Sequence, residues 1–235
     1  MTNPFRIFIG WDKREPIAYD VAKFSLERRA SIPVQVSAIK LDDLRARGLY
    51  RRAEDPLATT EFTYSRFLTP ALAGYQGWAL FCDCDFLFLG DIAGLAEYTK
   101  TPKAVYCVQH DYQPKESIKM DGKVQTTYPR KNWSSFMLFN NAHPAVKALT
   151  PALVNRESPA FLHRFNWVSD ELIGELPRGW NFLEGEYPRP DKTPAAVHFT
   201  NGGPWFPQWQ NVEFGDLWRA ERDRYLQSLQ GGMAA

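Results

Sequence analysis

An apolar run that is interrupted by two acids restricts the fold of this sequence more than any other feature. The run covers residues 78–89 and reads Trp-Ala-Leu-Phe-Cys-Asp-Cys-Asp-Phe-Leu-Phe-Leu. It predicts a buried strand, in which an unpaired charge would cost about several kcal/mol. In an extended chain Asp83 and Asp85 point to the same side, roughly 7 Å apart at their Cα atoms. A positive group or water must therefore lie between the two carboxylates.

The simplest positive partner for Asp83 and Asp85 is a divalent cation with oxygen ligands, Mn²⁺ or Mg²⁺. An open α/β sheet binds its ligand at the carboxyl ends of its strands, which is where these acids are expected. The alternative is that both acids cap a turn after a short strand, because acid-x-acid triplets are common by chance. The apolar residues on both sides favour the metal interpretation.

Length, charge and cysteine content exclude several classes of protein. The chain has 235 residues, which suits one α/β domain over 1–235. Its net charge of +1 argues against a broad nucleic-acid surface. No segment approaches the roughly 18 apolar residues of a membrane-spanning helix, and the first residues resemble no signal peptide. We therefore expect a soluble, cytoplasmic protein with reduced cysteines, and peripheral membrane contact stays open.

Helical and strand-like segments alternate along the chain, which predicts an α/β fold with a mixed, mostly parallel central sheet flanked by helices. A helix is expected to begin at Pro16, since proline suits a first helical turn. The polar residues 111–131 are predicted to form a long mobile loop over the site. We predict strands at 5–10, 33–39, 78–89, 104–108, 133–140 and 195–200, and further helices at 41–47, 61–75, 168–176 and about 212–229.

Two charged residues near strand ends are candidates for ligand binding. Asp12 follows the first strand, where it could contact a base or a ribose or simply mark the entry to the helix. No G-x-G-x-x-G and no P-loop stands there, so no glycine-rich cradle holds a phosphate. Arg66 lies upstream of the acids and could neutralise a phosphate or an acidic cluster. The alternative for Arg66 is a solvated helix face.

A zinc site is an alternative to the magnesium or manganese site. Cys82, Cys84, Cys107 and His110 could supply four zinc ligands. The first two cysteines lie within the apolar run, however, and would face away from the acids into packing. Buried free cysteines are common as small apolar residues, so we expect no structural zinc.

Five short motifs follow one another along the chain in an order that is typical of one enzyme group. They are Ile-Phe-Ile-Gly-Trp-Asp at 7–12, Tyr-Ser-Arg-Phe at 64–67, Asp-Cys-Asp at 83–85, Leu-Pro-Arg-Gly-Trp-Asn at 176–181 and His-Phe-Thr at 198–200. With these motifs the chain resembles the nucleotide-sugar glycosyltransferases of the GT-A fold. The resemblance is greatest to the retaining family eight, which includes glycogenin and bacterial lipopolysaccharide galactosyl- and glucosyltransferases.

The resemblance implies a hexosyltransferase that uses a nucleotide sugar, most simply a UDP-sugar, and a glycan, lipid-linked or protein acceptor. It implies a metal site of Asp83, Asp85 and His198. The donor-binding residues that it implies are Asp12, Tyr64, Arg66, Asp83, Cys84, Asp85, Gly202 and Gly203. Arg66 and the carboxylates of Asp170 and Glu171 are the catalytic candidates.

The chain departs from family eight in three places. Residues 133–135 read Trp-Ser-Ser where the family has Asn-Ala-Gly, and residues 169–171 read Ser-Asp-Glu where it has Asp-Gln-Asp. The family's lysine before Pro204 and Trp205 is missing, although the backbone N–H groups of two glycines could replace part of its work. A catalytically idle nucleotide- or glycan-binding relative is therefore the main alternative, followed by a sugar-nucleotide pyrophosphorylase.

Overall fold

A computed structural model describes residues 3–56, 58–111 and 130–232 of the chain. Most of the predicted loop at 111–131 therefore lies outside the described residues. The strands are β1 Phe5–Gly10, β2 Val34–Ile39, β3 Trp78–Cys82, β4 Phe86–Phe88, β5 Val105–Cys107, β6 Phe136–Asn140, β7 Ile173–Glu175, β8 Phe182–Leu183 and β9 Ala196–His198. The α-helices are α1 Pro16–Arg29, α2 Leu41–Ala46, α3 Thr69–Leu72, α4 Pro144–Lys147, α5 Pro151–Arg156, α6 Pro159–His163 and α7 Gly215–Gly232.

The central sheet has six strands in the order β2-β1-β3-β6-β5-β7. β1 pairs in parallel with β2 and β3, and β5 pairs in parallel with β7, whereas β6 runs antiparallel to both of its neighbours. Most residues of the inner strands β1, β3, β6 and β5 are buried and apolar, as expected for strands that are covered on both faces. The predicted mixed α/β sheet is thereby confirmed.

The apolar run at 78–89 forms two strands, so the prediction of a single buried strand was wrong. β3 ends at Cys82, and β4 begins at Phe86 in a second sheet of order β4-β9-β8. The two acids occupy the turn that carries the chain from one sheet to the other. Both strands are buried, so hydrophobicity alone could not separate them.

Two predicted helices also differ from the structure. Residues 168–176 form a 3₁₀ turn at Asp170–Leu172 and then β7, because the edge of β5 offers hydrogen bonds to an extended chain. Residues 61–75 form turns, a 3₁₀ helix at Ser65–Leu68 and α3. Pro70 has no N–H, so it cannot donate to the carbonyl of Arg66 as a helical residue would. That carbonyl accepts a hydrogen bond from the Thr69 hydroxyl at 2.8 Å.

A second, smaller core joins α1 to the second sheet and to α7. It contains Val21 of α1, Leu87, Val197 and Phe182 of the sheet, and Trp218 of α7. Glu221 of α7 is buried and ion-paired with two arginines at the end of α1. The bounds of helix α7, Gly215–Gly232, are close to those of the helix predicted at about 212–229. Within the described ranges, no helix is both long and apolar enough to cross a membrane.

Candidate metal and donor site

Asp83, Asp85 and His198 meet where the two sheets join. Each offers one ligand atom, and the three atoms lie within 4.8 Å of one another. The pairing of β4 with β9 places Phe86 opposite His198, and this register brings the imidazole beside the acid that precedes Phe86. The side chains of the two acids are 12% and 14% exposed, so the cluster can be reached from solvent at its carboxylates.

Arg66 compensates the charge of Asp83. Its Nη1 lies 2.8 Å from Oδ1 of Asp83 and donates to the carbonyl of Ser134 at 2.9 Å. Its guanidinium carbon lies 5.3 Å from the ring centroids of both Phe62 and Phe81, which bury it. The guanidinium therefore faces the acidic cluster and is not on a solvated helix face.

The hydrogen bonds around His198 define its tautomer. Nδ1 of His198 lies 2.9 Å from Oδ1 of Asn181, and the amide nitrogen of Asn181 donates to the Ser135 hydroxyl at 2.9 Å. Because that amide nitrogen is already a donor, its oxygen must accept, and Nδ1 carries the proton. The other ring nitrogen, Nε2 of His198, faces Oδ1 of Asp85 at 3.3 Å.

These residues fit a divalent cation. Oδ1 of Asp85 is buried and has no hydrogen-bond partner among the described residues. A cation between Oδ1 of Asp85 and Nε2 of His198 would bind to both atoms at once. The two oxygens and one nitrogen suit Mn²⁺ or Mg²⁺. A histidine whose other nitrogen donates to an amide oxygen has the outer-shell partner that metal-bound histidines show.

Glu15 lies beside the cluster, and sequence reasoning gave it no role. It is 2% exposed, precedes α1, and accepts hydrogen bonds from Sγ of Cys84 at 3.4 Å and from Nε1 of Trp205 at 3.1 Å. Burial and the charges of Asp85 and Asp12 raise the pKa of Glu15 to about 8. No sequence signal identified it, because a glutamate before a proline is common at the start of a helix.

The predicted donor contacts of Asp12 and Tyr64 are already occupied by protein. The carboxylate of Asp12 accepts from Nη2 of Arg14 at 2.7 Å and from the backbone N–H of Glu61 at 3.1 Å. The Tyr64 hydroxyl donates to Asp55. Burial and that carboxylate raise the pKa of Tyr64 to about 12. The structure thus places Asp12 at the end of β1, as expected, with its oxygens bonded within the fold.

Neighbouring indole rings leave no room for a side chain at either glycine of the C-terminal loop. A Cβ on Gly203 would lie 2.0 Å from the ring of Trp205, and one on Gly202 would lie 2.6 Å from Nε1 of Trp209. Gly202 also has a φ of +136°, a conformation that favours glycine. Its N–H donates to the carbonyl of Phe199 at 2.9 Å. In this conformation the N–H of Gly202 is therefore used by the loop itself.

The two catalytic candidates on 169–171 lie outside the cluster of three ligands. Asp170 has a 78% exposed side chain and binds Arg130 at 2.6 Å. Glu171 is exposed and accepts from the Ser169 hydroxyl at 2.6 Å, and that hydrogen bond lowers its pKa. Neither carboxylate belongs to the group of residues that could hold a metal.

The zinc alternative gains no support in the described residues. The group of metal-binding side chains found there is the one made by the two acids and His198. Cys82, Cys84 and Cys107 are buried free thiols. Burial raises the pKa of all three, so they remain protonated within the packing around β3 and β5.

Comparison with known proteins gives one clear relative in sequence. Protein CDI of Arabidopsis thaliana is 54% identical over 227 residues, which cover 95% of this chain and 88% of that protein. The chain belongs to the Protein CDI family. No family model matches the sequence.

Solved glycosyltransferases share the fold of this Protein CDI family member at low identity. The bifunctional glycosyltransferase WbbM has a TM-score of 0.67 at 15% identity, over 94% of this chain and 50% of that chain. GlyE of Streptococcus pneumoniae has a TM-score of 0.60 at 13%, over 98% and 64%. The galactosyltransferase LgtC, solved with donor and acceptor sugar analogues, has 0.58 at 14%, over 94% and 96%. The chain thus spans about half of WbbM and under two thirds of GlyE, and its fold is the GT-A glycosyltransferase fold.

Proposed function

We propose that the chain is a metal-dependent glycosyltransferase that moves a hexose from a nucleotide sugar to a sugar-bearing acceptor. The observation that carries this proposal is the cluster of Asp83, Asp85 and His198 within a GT-A fold, in which a buried oxygen of Asp85 lies 3.3 Å from Nε2 of His198. Such a pair of atoms calls for a cation, and a cation beside a nucleotide site assists the departure of a diphosphate.

The residues of the cluster would divide the work. Asp83, Asp85 and His198 would hold Mn²⁺ or Mg²⁺, and Arg66 lies 2.8 Å from Asp83 and compensates part of the negative charge. When bound, the cation supplies Lewis-acid stabilisation of the charge on the leaving diphosphate. Fixed charges of this kind act without reorganisation as the sugar leaves.

The finer features of the proposal follow from the resemblance to family eight. They are a UDP-sugar donor, transfer with retention, action in the cytoplasm, and one catalytic domain over 1–235. Asp12, Tyr64, Cys84, Gly202 and Gly203 are the proposed donor contacts. Asp170 and Glu171 are the proposed carboxylates near the reacting sugar, and Asp170 would have to leave Arg130 to serve there.

Calorimetric titration with UDP tests the proposal. We expect the wild-type protein to bind UDP only with Mn²⁺ or Mg²⁺ present. Asp85→Asn should weaken this binding by at least about 100-fold. Removing a residue that coordinates the metal is expected to cost more affinity than removing a residue that only hydrogen-bonds to a coordinating side chain. Asp91→Asn changes an exposed acid that caps a helix elsewhere, and it should bind like wild type. Equal binding with and without the metal, or by Asp85→Asn, would contradict the metal site.

Two observations favour the alternative that the chain is a catalytically idle nucleotide-binding protein. Asp83 is already charge-compensated by Arg66, and the C-terminal loop over 201–205 carries no lysine for the diphosphate. Both proteins would bind UDP with metal, so turnover must separate them. Release of sugar from UDP-sugars above a chelator-treated control supports transfer. Binding without release by the wild type, with every donor tried, supports the idle protein.

A further inference from the structure

Glu15 connects three segments that are far apart in the sequence. It stands at the start of α1, its Oε1 accepts from Cys84 in the turn between the two acids, and its Oε2 accepts from Trp205 in the C-terminal loop. The residue is 2% exposed and is therefore surrounded by protein on all sides. Burying a carboxyl group costs free energy, and hydrogen bonds within the protein must replace those lost to water.

The two hydrogen-bond donors to Glu15 belong to different segments, which are the metal-binding turn and the C-terminal loop. Cys84 is the residue between the ligands Asp83 and Asp85, so its position sets that of both acids. Trp205 packs its ring against Gly203 and lies 5.2 Å from the ring of Trp218. The indole N–H is thus the polar end of a side chain that is otherwise packed in the second core.

We propose that Glu15 is a positioning residue that fixes the C-terminal loop relative to the metal-binding turn. This inference rests on the proposed function, since it assigns to the loop a fixed place beside a metal-bound nucleoside diphosphate. Glu15 acts through Cys84 and Trp205 and is not itself a ligand of the metal or of the donor. One oxygen of Glu15 faces the Cys84 thiol and the other faces the Trp205 indole, whereas a glutamine would present an N–H₂ group to one of these two donors.

The substitution Glu15→Gln tests this link with almost no change in volume. Glutamine has one acceptor oxygen, so an N–H₂ group replaces either the oxygen that faces Cys84 or the one that faces Trp205. Trp205→Phe removes the same indole N–H and keeps an aromatic ring in the core. Glu184→Gln is the matched control, because Glu184 is also a buried glutamate and its side chain accepts from the backbone N–H of Glu213 at 3.0 Å. Among the described residues, that side chain has no hydrogen bond to Cys84 or Trp205.

The first measurement is made without nucleotide or metal. In a ¹⁵N–¹H spectrum, the indole N–H signal of Trp205 is identified by its loss in Trp205→Phe. We expect Glu15→Gln to shift this signal and Glu184→Gln to leave it in place. An unmoved signal in Glu15→Gln would overturn the link between the two residues, whatever the protein binds.

The second measurement is calorimetric binding of UDP with Mn²⁺. Glu15→Gln and Trp205→Phe should each raise Kd by about 10-fold, as expected for the loss of one buried hydrogen bond. The double variant should be no weaker than the weaker single variant, because both changes break one link. With a donor that turns over, KM should rise while kcat stays within about 2-fold. Control-like binding by Glu15→Gln, or independent losses that multiply in the double variant, would overturn the positioning role.

The two tests separate failure of the link from failure of the proposed function. If wild-type protein binds no UDP with Mn²⁺ while the indole signal shifts in Glu15→Gln, the donor site is wrong and the role of Glu15 toward it falls with it. If wild type binds UDP with Mn²⁺ and the signal stays fixed, the donor site stands and Glu15 does not position the loop. If Glu15→Gln does not fold, Trp205→Phe alone decides the binding test.

Discussion

The tautomer of His198 depends on one amide, that of Asn181. The carbonyl oxygen of Asn181 holds the proton on Nδ1, and its nitrogen is fixed by the hydroxyl of Ser135. Asn181 is 17 positions away from His198 in the sequence, so the motif at 176–181 drew attention to it without showing its partner. Glu15 was missed for the same physical reason, since its partners lie 69 and 190 positions away.

We predict that Asn181→Ala weakens Mn²⁺ binding by about 10- to 100-fold, in line with the loss of other outer-shell partners of metal-bound histidines. Asn181→Asp keeps an acceptor for Nδ1 and should lose less affinity. Asn140→Ala removes an amide that binds the Lys103 carbonyl away from the cluster, and serves as the control. Calorimetry or electron paramagnetic resonance of Mn²⁺ provides the affinity. Equal affinity of Asn181→Ala and wild type would show that the amide does not set the tautomer.

Among the elements, the sequence predicted the inner strands and the first helix well. β1 and α1 have strong local signals, which are a nearly continuous apolar run in β1 and a proline at the first position of α1. β7 was predicted as a helix because three residues are too few to show a period, and its neighbour β5 decides its conformation. The second sheet was missed for the same reason, since β4, β8 and β9 have two or three residues each.

Gly174 in β7 provides a test of this edge of the sheet. A Cβ on Gly174 would lie 2.1 Å from the ring of Tyr106, so we expect Gly174→Ala to lower the free energy of unfolding by about 1–3 kcal/mol. Gly231→Ala is the control, because a Cβ on Gly231 would meet no atom within 4 Å and alanine favours a helix. Urea unfolding measures both variants. An unchanged midpoint for Gly174→Ala would show that Tyr106 can move aside.

At the scale of the whole molecule, the fold class was predictable because it follows from the alternation of elements. The meeting of Asp83 and Asp85 with His198 was indicated by the resemblance and not by local pattern, since it arises from the pairing of β4 with β9. The attachment of α7 could not be predicted, because Glu221 is a charged residue on a largely polar helix. Its burial follows from the three-dimensional position of the arginines on α1.

Glu221 makes the attachment of α7 to α1 depend on pH. Its carboxylate accepts from Nε of Arg28 at 2.7 Å and from Nη2 of Arg29 at 2.9 Å. Burial alone would raise the pKa of Glu221, but these hydrogen bonds and charges lower it to about 2, from an ordinary value of 4.5. Because the folded-state pKa is lowered, the stabilisation is complete above about pH 4.5 and is lost as the pH falls toward 2.

We therefore predict that Glu221→Gln lowers the free energy of unfolding by about 2 kcal/mol at pH 7, a value reduced for the solvent exposure of Arg28. The difference between wild type and variant should shrink steadily between pH 4.5 and pH 2, because protonation makes the wild-type side chain neutral too. Urea unfolding followed by circular dichroism across this range measures the difference directly. Glu97→Gln, at an exposed position on the 3₁₀ segment Ile92–Lys100, should show no such trend. A difference that stays constant down to pH 2 would mean that Glu221 stabilises the helix contact by packing, and that its charge contributes nothing.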